Sequence, residues 1–296
     1  MAIKKPVKTG KKTPAMPGGP KGPATTKMPL PPVAAKAAPK KKFTVETWDD
    51  KRGEQILIYA DTGAGKTSLA RLAPRPVFIG CDDGGNKILN TDGSHLKRIP
   101  GVDTFADVRS ALQQHDLYTD FDTAVVDTAT IAEDWAEVDV VQTIKTEGGA
   151  MAKNILSYGY NKGYKHLYNT MKLMLQDCDA LTRIGKNVII ICQGINNNVP
   201  NPGGEDFLRH GPRLHIDKTW SIEALYCEWA DHILRIAYYD TQVGKDKKIM
   251  GTTTRAIFTQ PEPHFRAKSR TVHEPVVAFA DDKDDSIWQY IFGGGE

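Results

Sequence analysis

The chain alternates between short, wholly apolar runs and longer stripes of helical period. Gln55–Ala60 (QILIYA) shows no polar alternation, the pattern of a strand buried on both faces of a parallel sheet. Pro76–Gly80, Thr123–Asp127 and Asn187–Gln193 (NVIIICQ) read as three more strands, and the last is apolar enough to be central. Between them, Gly65–Ala73 reads as a helix stopped by Pro74. Thr104 is placed to cap a second helix, with Phe105, Val108 and Leu112 on one face and Asp107 completing the cap. Tyr164, Leu167, Met171, Met174, Cys178 and Leu181 keep helical spacing and mark a core-facing stripe. Ile233–Tyr239 and Lys248–Gln260 flank a polar turn, which predicts an antiparallel hairpin at one end of the sheet. Asp281–Asp285 reads as a solvated turn before a short final helix, Ser286–Phe292. Strands alternating with helices define an α/β class, with a mostly parallel central sheet and helices on both faces.

Composition sharpens this picture at one end of the chain. The net charge is +3 over 296 residues, but residues 1–42 hold eleven lysines and no acidic residue, leaving −8 for residues 43–296. The same 42 residues hold nine of the eighteen prolines. Such a segment cannot bury enough apolar surface to offset its chain entropy, so a disordered basic tail is expected over 1–42 and the folded domain over 43–296. The tail is either a solvated leader or an arm drawn to phosphate backbones. No stretch approaches the ~18–20 apolar residues of a membrane span. The lysines near the N-terminus precede no apolar signal core, so the cytoplasm is the expected compartment. The four cysteines are scattered without a C-x-x-C pair and read as reduced thiols. The histidines lack zinc-ligand spacing.

The candidate chemistry begins at residue 60. Ala60-Asp61-Thr62-Gly63-Ala64-Gly65-Lys66-Thr67 follows a predicted strand and opens a predicted helix, the context a phosphate-binding P-loop requires. Gly63 and Gly65 let backbone N–H groups turn toward phosphate oxygens, and the helix N-terminus adds its partial positive charge. Lys66 is expected on the β and γ phosphates of ATP, with Asp61, Thr62, Ala64 and Ser68 lining the loop and Thr67 on Mg²⁺. Ala60 stands where the motif usually has glycine. A second Mg²⁺-orienting acid is needed at the end of a neighbouring strand, and Ala124-Val125-Val126-Asp127 supplies it. Thr128 follows, so no acidic base adjoins Asp127. The strand after the P-loop helix ends in Cys81-Asp82-Asp83-Gly84-Gly85, which makes Asp83 the candidate to orient the attacking water, with Asp82 in reserve. Gln193 ends the central strand and is the candidate γ-phosphate sensor.

ILIYADTGAGKTSLA, VFIGCDDGGNKIL, DTAVVDTAT, GKNVIIICQ and FRAKSR come in the order of phage-encoded RecA-like ATPases, and over residues 43–270 the chain resembles that group. The group includes the Sak-type single-strand annealing ATPases. The resemblance implies a RecA-like fold for residues 43–296 and self-association into a ring or filament. In such assemblies Lys268-Ser269-Arg270 would place Lys268 and Arg270 on a neighbour's γ-phosphate. The segment Phe207–Arg213 lies where RecA has a DNA-contacting loop, which points to Phe207, Arg209, His210 and Arg213 as single-stranded DNA contacts. Asp83 stands where relatives commonly carry Glu. The function implied is a DNA-stimulated ATPase acting on single-stranded DNA in phage recombination, annealing or repair, in the host cytoplasm. A helicase-type or helicase-loading motor and a nucleotide-switched assembly protein share the same nucleotide chemistry.

Overall fold

Strands form where the sequence is apolar on both faces. In the computed structural model, β1 (Gln55–Ala60), β2 (Pro76–Gly80) and β3 (Thr123–Asp127) have the bounds read from the sequence. The structure describes residues 44–45, 51–81, 84–239, 241–243, 249–251 and 254–293. The basic segment 1–42 and the Asp82–Asp83 pair lie outside the described residues.

Helix α1 (Lys66–Ala70) is shorter than the predicted 65–73. Its last turn tightens: the Leu72 and Ala73 amides bond the Leu69 and Ala70 carbonyls three residues back, at 3.1 and 3.2 Å, ahead of Pro74. Helix α2 (Phe105–Gln113) starts at the expected reciprocal cap. The Asp107 amide donates to the Thr104 hydroxyl, and the Thr104 amide donates to the Asp107 carboxylate at 2.9 Å. Such a cap contributes about 1 kcal/mol. Helix α3 (Ala129–Thr143) has no counterpart in the sequence reading, because its buried stripe is mostly alanine: Ala129, Ala132, Ala136 and then Val140. Helix α4 (Lys162–Arg183) carries the Met-containing stripe, with Leu167, Met171, Met174, Cys178 and Leu181 all buried. Arg109 of α2 pairs with Asp177 of α4 at 2.7 Å and ties the two helices together.

Strand β4 (Asn187–Val199) runs six residues beyond the predicted end at Gln193. It leaves the sheet there and pairs antiparallel with β5 (Phe207–Pro212), from Gly194 opposite Pro212 to Val199 opposite Phe207. The segment read as a DNA-contacting loop is therefore one arm of a hairpin. Helix α5 (Ile222–Trp229) follows, then β6 (His232–Tyr238), the small pair β7 (Thr241–Val243) and β8 (Ile249–Gly251), β9 (Arg255–Phe258), β10 (Val276–Phe279) and α6 (Ser286–Phe292). The predicted C-terminal hairpin is present, with β6 antiparallel to β9 and β7 paired with β8.

The main sheet has the order β10-β9-β6-β1-β4-β3-β2, parallel from β6 to β2. This is a RecA-like α/β fold. Alternate residues of each central strand feed two cores. Leu57 and Tyr59 of β1 face α2, α3, α4 and α5. Ile56, Ile58 and Ala60 face α1 and α6. Full burial of each such aliphatic side chain stabilises by about 1.5–3 kcal/mol, which is why the central strands tolerate no polar alternation. Among the described residues, no helix is long and apolar enough to cross a membrane. The four cysteines are buried, and no disulfide joins them.

The sheet order positions the chemistry. β4 lies between the P-loop strand β1 and the Asp127 strand β3. In register, Ala60 sits beside Gln193, Ile191 beside Asp127 and Asp127 beside Gly80. The ends of the parallel strands β1, β3 and β4 thus deliver the P-loop, Asp127 and Gln193 to one edge.

Candidate functional site

The P-loop connects β1 to α1 with Gly63 at φ 82° and Gly65 at φ 98°, left-handed values that glycine adopts without penalty. Lys66 is buried beneath the loop. Its Nζ donates to the carbonyls of Ala60 and Asp61 and to Gln193 Oε1, each at 2.9 Å. Burial holds the ammonium below the usual lysine range, opposed by the charges of Asp127 and Asp61. The Thr67 hydroxyl donates to Asp127 Oδ2 at 2.8 Å. Thr62, Gly63, Gly65, Lys66, Thr67, Ser68, Asp127 and Gln193 share one open pocket of about 390 Å³, with Gly84 and Gly85 on its rim. The pocket brings together the P-loop, Asp127 and Gln193. Asp61 does not line the pocket: its carbonyl accepts from Lys66, and its Oδ1 lies 3.4 Å from His210 Nε2. Ala64 packs against the core shared with α1 and α6. The peptide between Asp127 and Thr128 is cis.

Gln193 is fixed from several directions. Its amide N–H donates to Thr130 Oγ1 at 3.1 Å, and its carbonyl accepts from the Arg213 amide at 2.7 Å. Thr130 in turn donates to the Arg213 carbonyl at 3.2 Å. Thr130 was missed by the sequence reading; its position three residues after Asp127 carries no signal until α3 is seen to begin at Ala129.

His210 is placed differently from the other three predicted DNA contacts. It is buried, with its ring 5.2 Å from that of Tyr59, accepting from Arg235 Nε at Nδ1 (3.0 Å) and pointing Nε2 at Asp61 Oδ1, 3.4 Å away. Burial and the adjacent Arg235 hold it below the usual histidine range. A Cβ on Gly194 would lie 2.4 Å from His210 Nε2, so glycine after Gln193 is what lets the imidazole tuck under the P-loop. His210 is a support of the site, out of reach of a nucleic acid. Arg209 stacks over Phe207 at 5.3 Å and donates to the Pro263 carbonyl at 2.9 Å, and Arg213 is exposed.

The Lys268-Ser269-Arg270 segment does not line this pocket; Lys268 pairs with Ile233 alongside the start of β6. Lys268 turns inward: its Nζ donates to the Ala230 carbonyl and approaches those of Cys227 and Glu228 at the C-terminus of α5. Ser269 is held by fully buried His232, whose other ring nitrogen is 3.1 Å from Glu54 Oε2. Arg270 faces outward, 62% exposed, and pairs with Asp231 at 3.0 Å.

Glu133, one turn along α3 from Thr130, accepts the His215 amide at 2.9 Å. Burial pushes its carboxyl up from 4.5 to about 7, with the His215 hydrogen bond opposing. Because the folded value is raised, the stabilisation this group contributes is full below pH 4.5 and is lost as pH rises to about 7. Glu133→Gln is therefore expected to flatten the pH dependence of unfolding by urea across that window. The wild-type chain should lose about 3 kcal/mol relative to the variant across that window. Equal slopes for the two proteins would remove Glu133 as the cause.

A family model described as an AAA domain matches residues 52–271. The chain belongs to that family, and with the fold and P-loop above it is a nucleotide-binding P-loop ATPase of the AAA/RecA-like superfamily. Among solved structures it is similar to the flagellar accessory protein FlaH from Methanocaldococcus jannaschii, at 9% identity and a TM-score of 0.38 over 77% of this chain and 85% of that one. It is also similar to a KaiC-like protein from Pyrococcus horikoshii OT3, at 10% identity and a TM-score of 0.35 over 77% and 90%. No curated protein matched the sequence.

Proposed function

We propose that the chain is a DNA-stimulated ATPase that binds single-stranded DNA and assists recombination, annealing or repair in a phage-infected cytoplasm. The observation that carries this reading is the continuity of β4. The strand bearing Gln193, bonded to Lys66, continues without a break into an exposed hairpin bearing Phe207 and Arg209. A nucleotide that draws Lys66 onto its phosphates takes away the bond partner at the hairpin's base. Phe207 and Arg209 offer a stacking surface and a cation at the other end, with Arg213 beside Gln193.

Within the site, Lys66 and the P-loop amides hold the phosphates. Thr67 and Asp127 present hard oxygens 2.8 Å apart, a donor set that fits Mg²⁺, and these two would hold the ion. Once bound, Mg²⁺ would neutralise phosphate charge. Asp83 orients the water that attacks the γ-phosphorus, and Gln193 senses the transferred group. The outward Arg270 reaches a neighbour's γ-phosphate in a ring or filament, and Lys268 joins it by leaving the α5 carbonyls. Residues 1–42 serve as a basic arm, and residues 43–296 as the folded domain.

The test is steady-state ATP turnover of the full chain with and without single-stranded DNA at low salt, with Lys66→Ala as control. Stimulation of several-fold, lost in the control, is expected. Turnover indifferent to DNA, together with no DNA binding at low salt, would sink the DNA reading and leave an ATPase with another partner.

A further inference from the structure

The family match ends at residue 271, yet the chain beyond it packs directly on the nucleotide site. Trp288 of α6 donates its indole N–H to the Leu69 carbonyl in α1 at 2.9 Å. Arg71, just past α1, donates to the Asp282 carbonyl at 2.5 Å. Between these contacts stands Arg255 of β9. Its Nη1 donates to the Ala64 carbonyl of the P-loop at 3.1 Å, and its Nη2 donates to Asp282 Oδ1 at 3.1 Å. The guanidinium lies over the Phe279 ring, 4.5 Å from its centre, and the side chain is 21% exposed. A Cβ built on Gly65 would come within 2.5 Å of Arg255 Nη1 and 3.0 Å of the Phe279 ring. The second P-loop glycine is thus seated against a guanidinium–aromatic pair.

In a trans peptide the C=O and N–H groups point in opposite directions. Holding the Ala64 carbonyl on the Arg255 side turns the Gly65 N–H toward the phosphate pocket that Gly65 lines. A glycine adopts positive and negative φ about equally readily, so the Ala64–Gly65 peptide could turn over at low cost if nothing held it. We propose that Arg255 is a positioning residue for nucleotide binding. It fixes this peptide with its N–H toward the phosphates, and Phe279 and Asp282, from outside the family-matched residues, hold the guanidinium in place. Arg255 acts from within its own chain and touches no phosphate. The fork geometry matters because one nitrogen serves Ala64 while another serves Asp282, and a lysine cannot do both in one plane.

The experiment is calorimetric titration of the full-length protein with ATP and Mg²⁺, comparing wild type, Arg255→Ala, Arg255→Lys and Lys66→Ala. Thermal unfolding is measured without nucleotide, and hydrogen exchange is read at the Gly65 amide. Both Arg255 variants are expected to bind ATP about tenfold more weakly. The slowing of Gly65 exchange that ATP brings in wild type should be lost in Arg255→Lys, with exchange in β1 and α4 unchanged. If Arg255→Ala does not fold, Arg255→Lys carries the test, since it keeps the charge and most of the stem. Wild-type affinity in Arg255→Lys would overturn the inference, because charge alone would then suffice. Loss of protection throughout β1 and α4 would also overturn it, as a general loosening. Wild-type affinity in Lys66→Ala would instead show that ATP binds elsewhere, and the inference would fall with the site.

Discussion

Lys66→Met is expected to lower ATP turnover by two to three orders of magnitude while leaving the nucleotide-free fold at least as stable as the wild type. The first half follows from position. In the proposed site Lys66 is the cation that meets the β and γ phosphates, and removing one such stabilising group commonly costs a factor of about 10²–10³. The second half follows from its surroundings without nucleotide. The ammonium is buried and burial disfavours its charge, so the folded chain carries an unfavourable term that a methionine of similar length removes. Against this, the carbonyls of Ala60 and Asp61 and the Gln193 amide oxygen lose a donor. Of these acceptors the Gln193 amide oxygen faces an open pocket, where water replaces the donor, while the Ala60 carbonyl is buried and opposes the gain. Thermal unfolding without nucleotide and turnover at saturating ATP check the two halves separately. A variant that melts far below wild type would show that Lys66 supports the fold as well as the phosphates.

Asp127→Asn should also reduce turnover by about two orders of magnitude, and with a distinct pH signature. Asparagine keeps an oxygen for the Thr67 hydroxyl, so the bond between α1 and β3 survives and the fold is retained. What disappears is a negative charge. Asp127 leads the influences that keep the Lys66 ammonium charged against burial. Without it the lysine falls further below its ordinary value and loses its proton at lower pH. ATP affinity measured as a function of pH should therefore decline earlier on the alkaline side in Asp127→Asn than in wild type. An unshifted alkaline limb would show that the two residues are electrostatically independent.

The parts of this molecule that could be read from sequence are those whose physics is local. β1, β2 and β3 are short runs buried on both faces, so their ends coincide with the ends of the apolar runs. The α2 cap is visible because Thr104 and Asp107 satisfy each other within four residues. The P-loop is legible because its glycines and lysine do their work within one turn. Helix α3 escaped because alanines give a faint stripe. β5 escaped because its partner is the overhang of β4, and nothing in FLRHGP announces that pairing. His210 shows the limit most plainly. Next to Arg209 in sequence it suggests a nucleic-acid contact, and only the hairpin register turns it inward against Asp61 and Arg235. Arg255 lies 191 residues from Ala64, and no spacing rule could have joined them.

The overhang of β4 has a mechanical meaning. From Gln193 to Val199 the strand extends about 20 Å at roughly 3.3 Å per residue, braced along its length by β5. Such a braced ribbon is a lever arm whose fulcrum is the Gln193–Thr130–Arg213 knot. A tilt of about 10° at the fulcrum would sweep a tip at that distance by roughly 3.5 Å. That is close to the rise of one residue along an extended chain. On the proposed reading, in which Gln193 follows the γ-phosphate, the hairpin would carry that change to its tip as a displacement of this size.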